Sequence, residues 1–399
     1  MKSEIYKKLI GAIVLGYCLG VILSLLLRPD ALHWDFKVYY YAARAYATGV
    51  NPYDILVRAS VADSVTYRGC FMFVYPPAML FLFSLFSSLE YVTALHLFLI
   101  TKCVFLIGLL FLWRKGFLKG EIDLLFYLFC VVAFNSPIYI DLKAGNISIV
   151  EQFTLWLAFY FFLKRRLLSF CLFIIATAVF KGTPVLFLFL LLFLKDRKRY
   201  AYFSGAWCAF IAMQVTFYAC APSLFKDFLH SAGRVIYKVN QPSTFAFMGD
   251  LLQLIELKTA VVVPAHVHLM LFLGIIAAVV SLTWRSAVLL RSLSIADRER
   301  IMVFFACAAY VLVLPYFEDY SYIIMLVPAY FILKGSATRS RYAFLFLFTI
   351  LSSATTTLPL VRPAVRIILV NSPLILTYLI WGLYMHEIAL LSRSERGKQ

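Results

Sequence analysis

Apolar runs of about twenty residues, the length a helix needs to cross a bilayer, recur along this chain with clusters of lysine and arginine between them. Such a pattern leaves few folds open. With 63% hydrophobic, 17% aromatic and 14% charged residues over 399 positions, there is too little polar surface to clothe a water-soluble core. Lipid is the main solvent, and the expectation is an all-α polytopic membrane protein of about a dozen transmembrane helices, since backbone polar groups in lipid must be satisfied internally. The net charge of +17 sits between the apolar runs, where it sets topology, so it does not point to nucleic acid. Of the cysteines at 18, 70, 103, 130, 171, 208, 220 and 307, all but Cys70 and Cys220 fall inside apolar runs and read as small hydrophobes. Those two lie in segments expected outside, where a disulfide could form.

Charge asymmetry orients the chain. The run from Leu9 to Leu27 follows Lys2, Lys7 and Lys8 as a signal peptide does, but no small-residue cleavage site closes it, so it reads as the first spanning helix, leaving the cytoplasm. The run from Tyr91 to Trp113 ends in Arg114, Lys115 and Lys119 and must return inside. Residues 28–90 then form a long outer loop. Its apolar piece 71–89 is short and carries Pro76-Pro77, which predicts a juxtamembrane or re-entrant segment. Basic clusters at 164–166, 195–199, 285–300, 334–341 and 393–398 mark further inner ends. Outer segments are expected at 141–146, 181–184, 221–258, 317–320 and 358–366. The Lys181 tip joins two apolar runs of only about 11 to 14 residues, both short for spans. Residues 1–399 are read as a single integral membrane domain.

Chains of this shape are transporters or lipid-handling enzymes, and the two place polar groups differently. A transporter wants ionisable residues at mid-membrane. Here Lys102 and Glu151 are the main charges within apolar runs, whereas aromatic and polar residues gather at 33–54, which favours an enzyme with its site at the outer face. That stretch predicts a helix from about Phe36 to Thr48 lying along the membrane surface, with Phe36, Tyr39, Tyr40, Ala43 and Ala47 on one face, Gly49 as terminator and Pro52 beyond it. Asp35 stands at its N-cap position, where a carboxylate either caps the helix or serves chemistry. His266 and His268, two apart, cannot share a helix face, and Glu318 with Asp319 do not by themselves make a metal site. No cofactor and no metal is expected.

Asp35, Val38-Tyr39, Ala43, Ala45, Gly49 and Pro52-Tyr53, followed by Tyr75-Pro76-Pro77 and a short apolar run, resemble the polyprenyl-phosphate-sugar-dependent glycosyltransferases of family 87, which have the multi-spanning GT-C fold. Gly145-Asn146 is similar to the family's Gly-Gln-x-Asn turn, although Ile147 and Ser148 follow directly and the glutamine is absent. Lys181-Gly182-Thr183-Pro184 resembles its Lys-x-x-Pro element, and Asn240-Gln241-Pro242-Ser243 its Asn-Gln-Ser loop. In the late aromatic segment from Pro315 to Pro328, many relatives carry histidines where this chain has Glu318-Asp319-Tyr320-Ser321-Tyr322.

The resemblance implies a GT-C-like bundle and a mannosyltransferase-like hexosyl transfer from a polyprenyl-phosphate sugar to a lipid or glycan acceptor, with inversion. It also implies a place in the inner membrane of a bacterial cell envelope with the site facing outward. It makes Asp35 the catalytic base. Among the outer basic residues Lys37, Arg44, Arg58, Arg68, Lys181, Arg234, Lys238, Arg362 and Arg366, it points to Lys181, Arg44 and Arg234 for the donor phosphate. His33, Tyr39, Tyr75, Asn146, Gln241, Glu318, Asp319 and Tyr322 are the expected substrate-binding residues. The alternative is a multi-pass lipid or solute transporter or flippase.

Overall fold

A computed structural model describes residues 16, 20, 33–54, 72–119, 124–235, 241–259, 263–335 and 363–396. The expected first span, Arg58, Arg68, Cys70, Lys238, Asn240 and Arg362 lie outside these residues. Among the described residues every regular element is helical.

Four helices are long and apolar enough to cross a membrane, at Tyr91–Phe117, Arg199–Cys220, Ala265–Ser292 and Ser372–Glu395. A fifth span results if Leu124–Asn135 and Pro137–Ala144 count as one broken span. Both counts are of the described residues; the apolar run 9–27, apart from residues 16 and 20, lies outside them, so they do not test the expected dozen. Three apolar runs taken as spans are helices of 16, 12 and 11 residues, at Ser148–Leu163, Leu167–Ala178 and Thr183–Phe193, and the expected juxtamembrane or re-entrant piece holds a helix of 10, Ala78–Ser87. They reach only about 15 to 24 Å against a hydrocarbon core of about 30 Å.

The chain forms two compact units. The first comprises Met1–Gly116, Ile138–Leu192 and Asp196–Val235. Its described helices are α1 (Trp34–Ala47), α2 (Ala78–Ser87), α3 (Tyr91–Leu112, continued by a π turn at Trp113–Phe117), most of α5 (Pro137–Ala144), α6 (Ser148–Leu163), α7 (Leu167–Ala178), a 3-10 helix (Thr183–Phe193), α8 (Arg199–Cys220) and α9 (Pro222–Val235). α1 packs on α2, α3 on α6, and α6 through α9 each on the next. On α3 the exposed residues Leu97, Ile100, Val104, Ile107 and Phe111 recur at helical spacing and form a lipid-facing stripe. Ala94, Leu95, Phe98, Lys102 and Leu109 are its buried positions.

α1 ends where Gly49 predicts. Gly49 adopts φ 76°, and the Val50 N–H to Ala45 carbonyl and Gly49 N–H to Tyr46 carbonyl bonds, 2.9 and 3.0 Å, make the paired closure that a left-handed glycine permits. The helix does not lie on a surface with one face outward, as expected. Phe36, Lys37, Val38, Tyr39, Tyr40, Tyr41, Ala42, Ala43 and Ala45 are all buried. The cause is an aromatic cage: Phe36 stacks on Phe98 at 4.9 Å and meets Phe83 and Phe86 edge-on.

The second unit comprises Phe117–Pro137, Phe193–Lys195 and Ile236–Gln399. It contains α4 (Leu124–Val132) with a 3-10 turn at Ala133–Asn135, α10 (Thr244–Thr259), α11 (Ala265–Ser292), α12 (Arg298–Val313), a 3-10 helix (Asp319–Met325) running into α13 (Leu326–Gly335), α14 (Pro363–Val370) and α15 (Ser372–Arg396). α11, α12 and α15 pack against one another, and α12 and α13 are buried along most of their length.

Candidate functional site

Asp35 is not the N-cap of α1. The cap is His33, in the left-handed region at φ 63°, and makes no side-chain cap bond, so Asp35 stands at the second helical position. His33, expected to bind substrate, is fully buried and donates its main-chain N–H to the Lys143 carbonyl at 2.8 Å, which joins α1 to the end of α5. The Asp35 carboxylate lies beside the Asn146 side chain. It accepts a hydrogen bond from Asn146 Nδ2 at 2.8 Å and keeps partial exposure while Phe36 and the residues after it are sealed.

Asn146 is the hub. The same Nδ2 donates to Tyr75 Oη at 2.9 Å, and its Oδ1 accepts from Ser148 N–H at 3.0 Å and Ser148 Oγ at 2.8 Å. Tyr75 Oη also accepts from Tyr39 Oη at 2.8 Å, the two rings meeting edge-on at 4.9 Å. Burial, with Tyr75 and Asp35 beside it, pushes the Tyr39 phenol well above its ordinary range, so it stays a donor. Tyr39, Tyr75 and Asn146, expected to bind substrate, are buried at 0%, 8% and 0% exposure and are brought together behind the Asp35 carboxylate.

Gly145 lets the turn come this close. Its φ is 67°, and a Cβ there would stand 2.8 Å from Phe36 Cβ, so only glycine fits between the turn and α1.

A chain of charges runs behind the hub. Lys181 Nζ donates to Ser148 Oγ at 3.1 Å and pairs with Glu151 at 2.9 Å, which links the expected phosphate ligand to Asp35 through Ser148 and Asn146. Its anionic partner is therefore in the chain. Lys102, on the buried side of α3, pairs with Asp141 at 2.7 Å with both side chains fully buried. Sequence reasoning did not assign Ser148, Asp141, Lys102 or Glu151 to the site. The available signal was the two charges inside apolar runs, Lys102 and Glu151, each of which demands a partner in a membrane protein.

Arg44 is exposed in the last turn of α1, nine residues and about 14 Å along the axis from Asp35. Arg234 is exposed in the last turn of α9, a strongly amphipathic helix. The Asn146 side chain bonds Asp35, Tyr75 and Ser148, and neither arginine.

In the second unit, Gln241 Nε2 donates to Glu318 Oε1 at 2.8 Å, and Tyr316 Oη donates to the same carboxylate. Asp319 Oδ1 is buried and, among the described residues, has no hydrogen-bond partner. Burial and the adjacent Glu318 push Asp319 up to about 7, opposed by a hydrogen bond from Asn135. Tyr322, expected to bind substrate, is fully buried, stacks on Phe134 at 5.7 Å and donates to the Pro242 carbonyl.

A protein-family model described as glycosyltransferase family 87 matches residues 73–315, more than half the chain. The match spans Tyr75, Asn146, Lys181 and Gln241, begins after Asp35 and ends before Glu318. No curated protein and no solved structure matches the chain.

Proposed function

We propose, since this chain belongs to glycosyltransferase family 87, that it transfers a sugar from a polyprenyl-phosphate carrier to a hydroxyl of a lipid or glycan acceptor at the outer membrane face, with inversion and with Asp35 as general base. The carrying observation is the 2.8 Å bond from Asn146 Nδ2 to the partly exposed Asp35 carboxylate.

In the proposed reaction, Asp35 takes the proton of the acceptor hydroxyl as that oxygen attacks the anomeric carbon. The bond from that carbon to the phosphate oxygen breaks on the opposite face, and the carrier phosphate leaves with the electron pair. Positive charge must meet it there. Lys181 is the basic residue wired to Asp35 through Ser148 and Asn146, while Arg44 and Arg234 are exposed candidates for more distant phosphate oxygens. The sugar is mannose or a close relative, and the enzyme sits in a bacterial inner membrane. The second unit, by itself, carries amide and carboxyl groups at Gln241, Glu318 and Asp319, of the kind that bind hydroxyls.

The test is transfer by purified protein in lipid, supplied with radiolabelled polyprenyl-phosphate sugars and lipid acceptors. Wild type is expected to form a new glycolipid. Asp35→Asn is expected to lose about 10²-fold or more of the rate, with melting temperature and donor binding unchanged. Substantial activity in Asp35→Asn overturns the assignment of the base.

A further inference from the structure

Lys102 is a fully buried ammonium within the apolar helix Tyr91–Phe117, and no step of the proposed transfer uses it. Its Nζ makes two contacts with one residue. It lies 2.7 Å from Asp141 Oδ2 and donates to the Asp141 backbone carbonyl at 2.7 Å. That same carbonyl accepts the Asn146 N–H at 3.1 Å. One lysine thereby grips both the side chain and the main chain at the start of the turn that ends in Asn146. The opposite side of the turn is pressed against α1 through Gly145 and the His33 to Lys143 bond.

Placing two charges in a dry interior is expensive, and a buried ion pair is commonly replaceable by apolar residues of similar size without loss of stability. An apolar pair can fill the volume here but cannot grip the carbonyl. What the pair adds beyond packing is the position of residues 141–146, and hence of the amide that holds Asp35. The Lys102 charge also acts on Asp35 through space.

We infer that Lys102, through its two contacts with Asp141, is a positioning residue for the transfer reaction: it fixes the turn that aims Asn146 at the Asp35 carboxylate. The inference rests on Asp35 being the base.

The experiment compares Lys102→Met/Asp141→Leu with wild type and Asp35→Asn, measuring melting temperature, donor KM and kcat in lipid. The double variant removes both charges together, so neither is left unpaired. It is expected to melt near wild type and keep donor KM within about twofold, while kcat falls about ten- to a hundredfold, the cost of a catalytic group out of place by up to an ångström. A purely structural pair predicts wild-type kcat once the protein is folded, and that result overturns the inference. If the double variant does not fold, Asp141→Glu takes its place. It keeps both charges but lengthens the side chain by one methylene, and is expected to lower kcat at unchanged donor KM; wild-type kcat there overturns the inference equally. The two readings fail differently. An inactive Asp35→Asn beside a fully active double variant sinks only the role of Lys102, whereas an active Asp35→Asn sinks the base assignment itself.

Discussion

Gly145→Ala tests whether the turn carrying Asn146 is held by close approach to α1. The new Cβ would sit 2.8 Å from Phe36 Cβ and 3.3 Å from His33 Cβ, where ordinary contact begins at 3.4 Å. Phe36 cannot retreat, because it is stacked on Phe98 and walled by Phe83 and Phe86. The turn must therefore move by about 0.6 Å, the difference between 3.4 and 2.8 Å. A displacement of that size would stretch the Asn146 bonds to Asp35 and Tyr75 from 2.8 and 2.9 Å to about 3.4 or 3.5 Å, the edge of hydrogen bonding. Two costs follow. A non-glycine residue in the left-handed region costs about 1 to 2 kcal/mol, and overpacking about 1 to 3 more. Losing the bond to a charged group, worth about 1.5 to 3 kcal/mol, lowers transfer by about ten- to a hundredfold if it is felt at the transition state. Gly49→Ala separates the two, since Gly49 also has a positive φ of 76° but nothing within 4 Å of its Cβ. It should lose about 1 to 2 kcal/mol of stability and keep its activity. The assay is thermal melting together with transfer of a radiolabelled sugar in lipid. Gly145→Ala with wild-type melting and wild-type transfer would refute the close-packed turn, and equal losses of activity in both variants would refute its link to catalysis.

If Lys181 meets the donor phosphate, Lys181→Ala should weaken binding of the proposed polyprenyl-phosphate-sugar donor about ten- to a hundredfold in a titration, while Glu151→Gln should leave it equal or stronger. Equal weakening by both would make the Lys181–Glu151 pair a structural tie. Asp319, pushed up to about 7 from 3.8, binds its proton more tightly in the folded than in the unfolded protein. Its stabilising contribution is full below about pH 4 and is lost as pH rises through 7, so wild type should lose stability over that window relative to Asp319→Asn. Parallel melting curves of the two proteins from pH 4 to 8 would show that the carboxyl is not held in this way.

Much of the architecture is legible because it is local. Hydropathy and charge composition decide the solvent, and with it the all-helical answer. Gly49 ends α1 within one residue of the expected place because only glycine takes the left-handed turn at no cost. The shortness of the runs on either side of Lys181 is visible in the sequence, as is the family pattern. The N-cap reading of Asp35 failed because the chain turns two residues earlier, at a left-handed His33 tied to Lys143.

What the sequence determined by itself, then, is the class of molecule, the helical segments with clear stop signals, and the demand that Lys102 and Glu151 find partners. What only the tertiary structure decided is who those partners are. Asp35 meets Asn146 across 111 residues, Lys102 meets Asp141 across 39, and Lys181 reaches Ser148 across 33. A helical period tells which side chains share a face. Which faces meet depends on how α1, α3, α6 and the turn at Gly145 pack, and that packing is set by side-chain volumes from remote parts of the chain acting together.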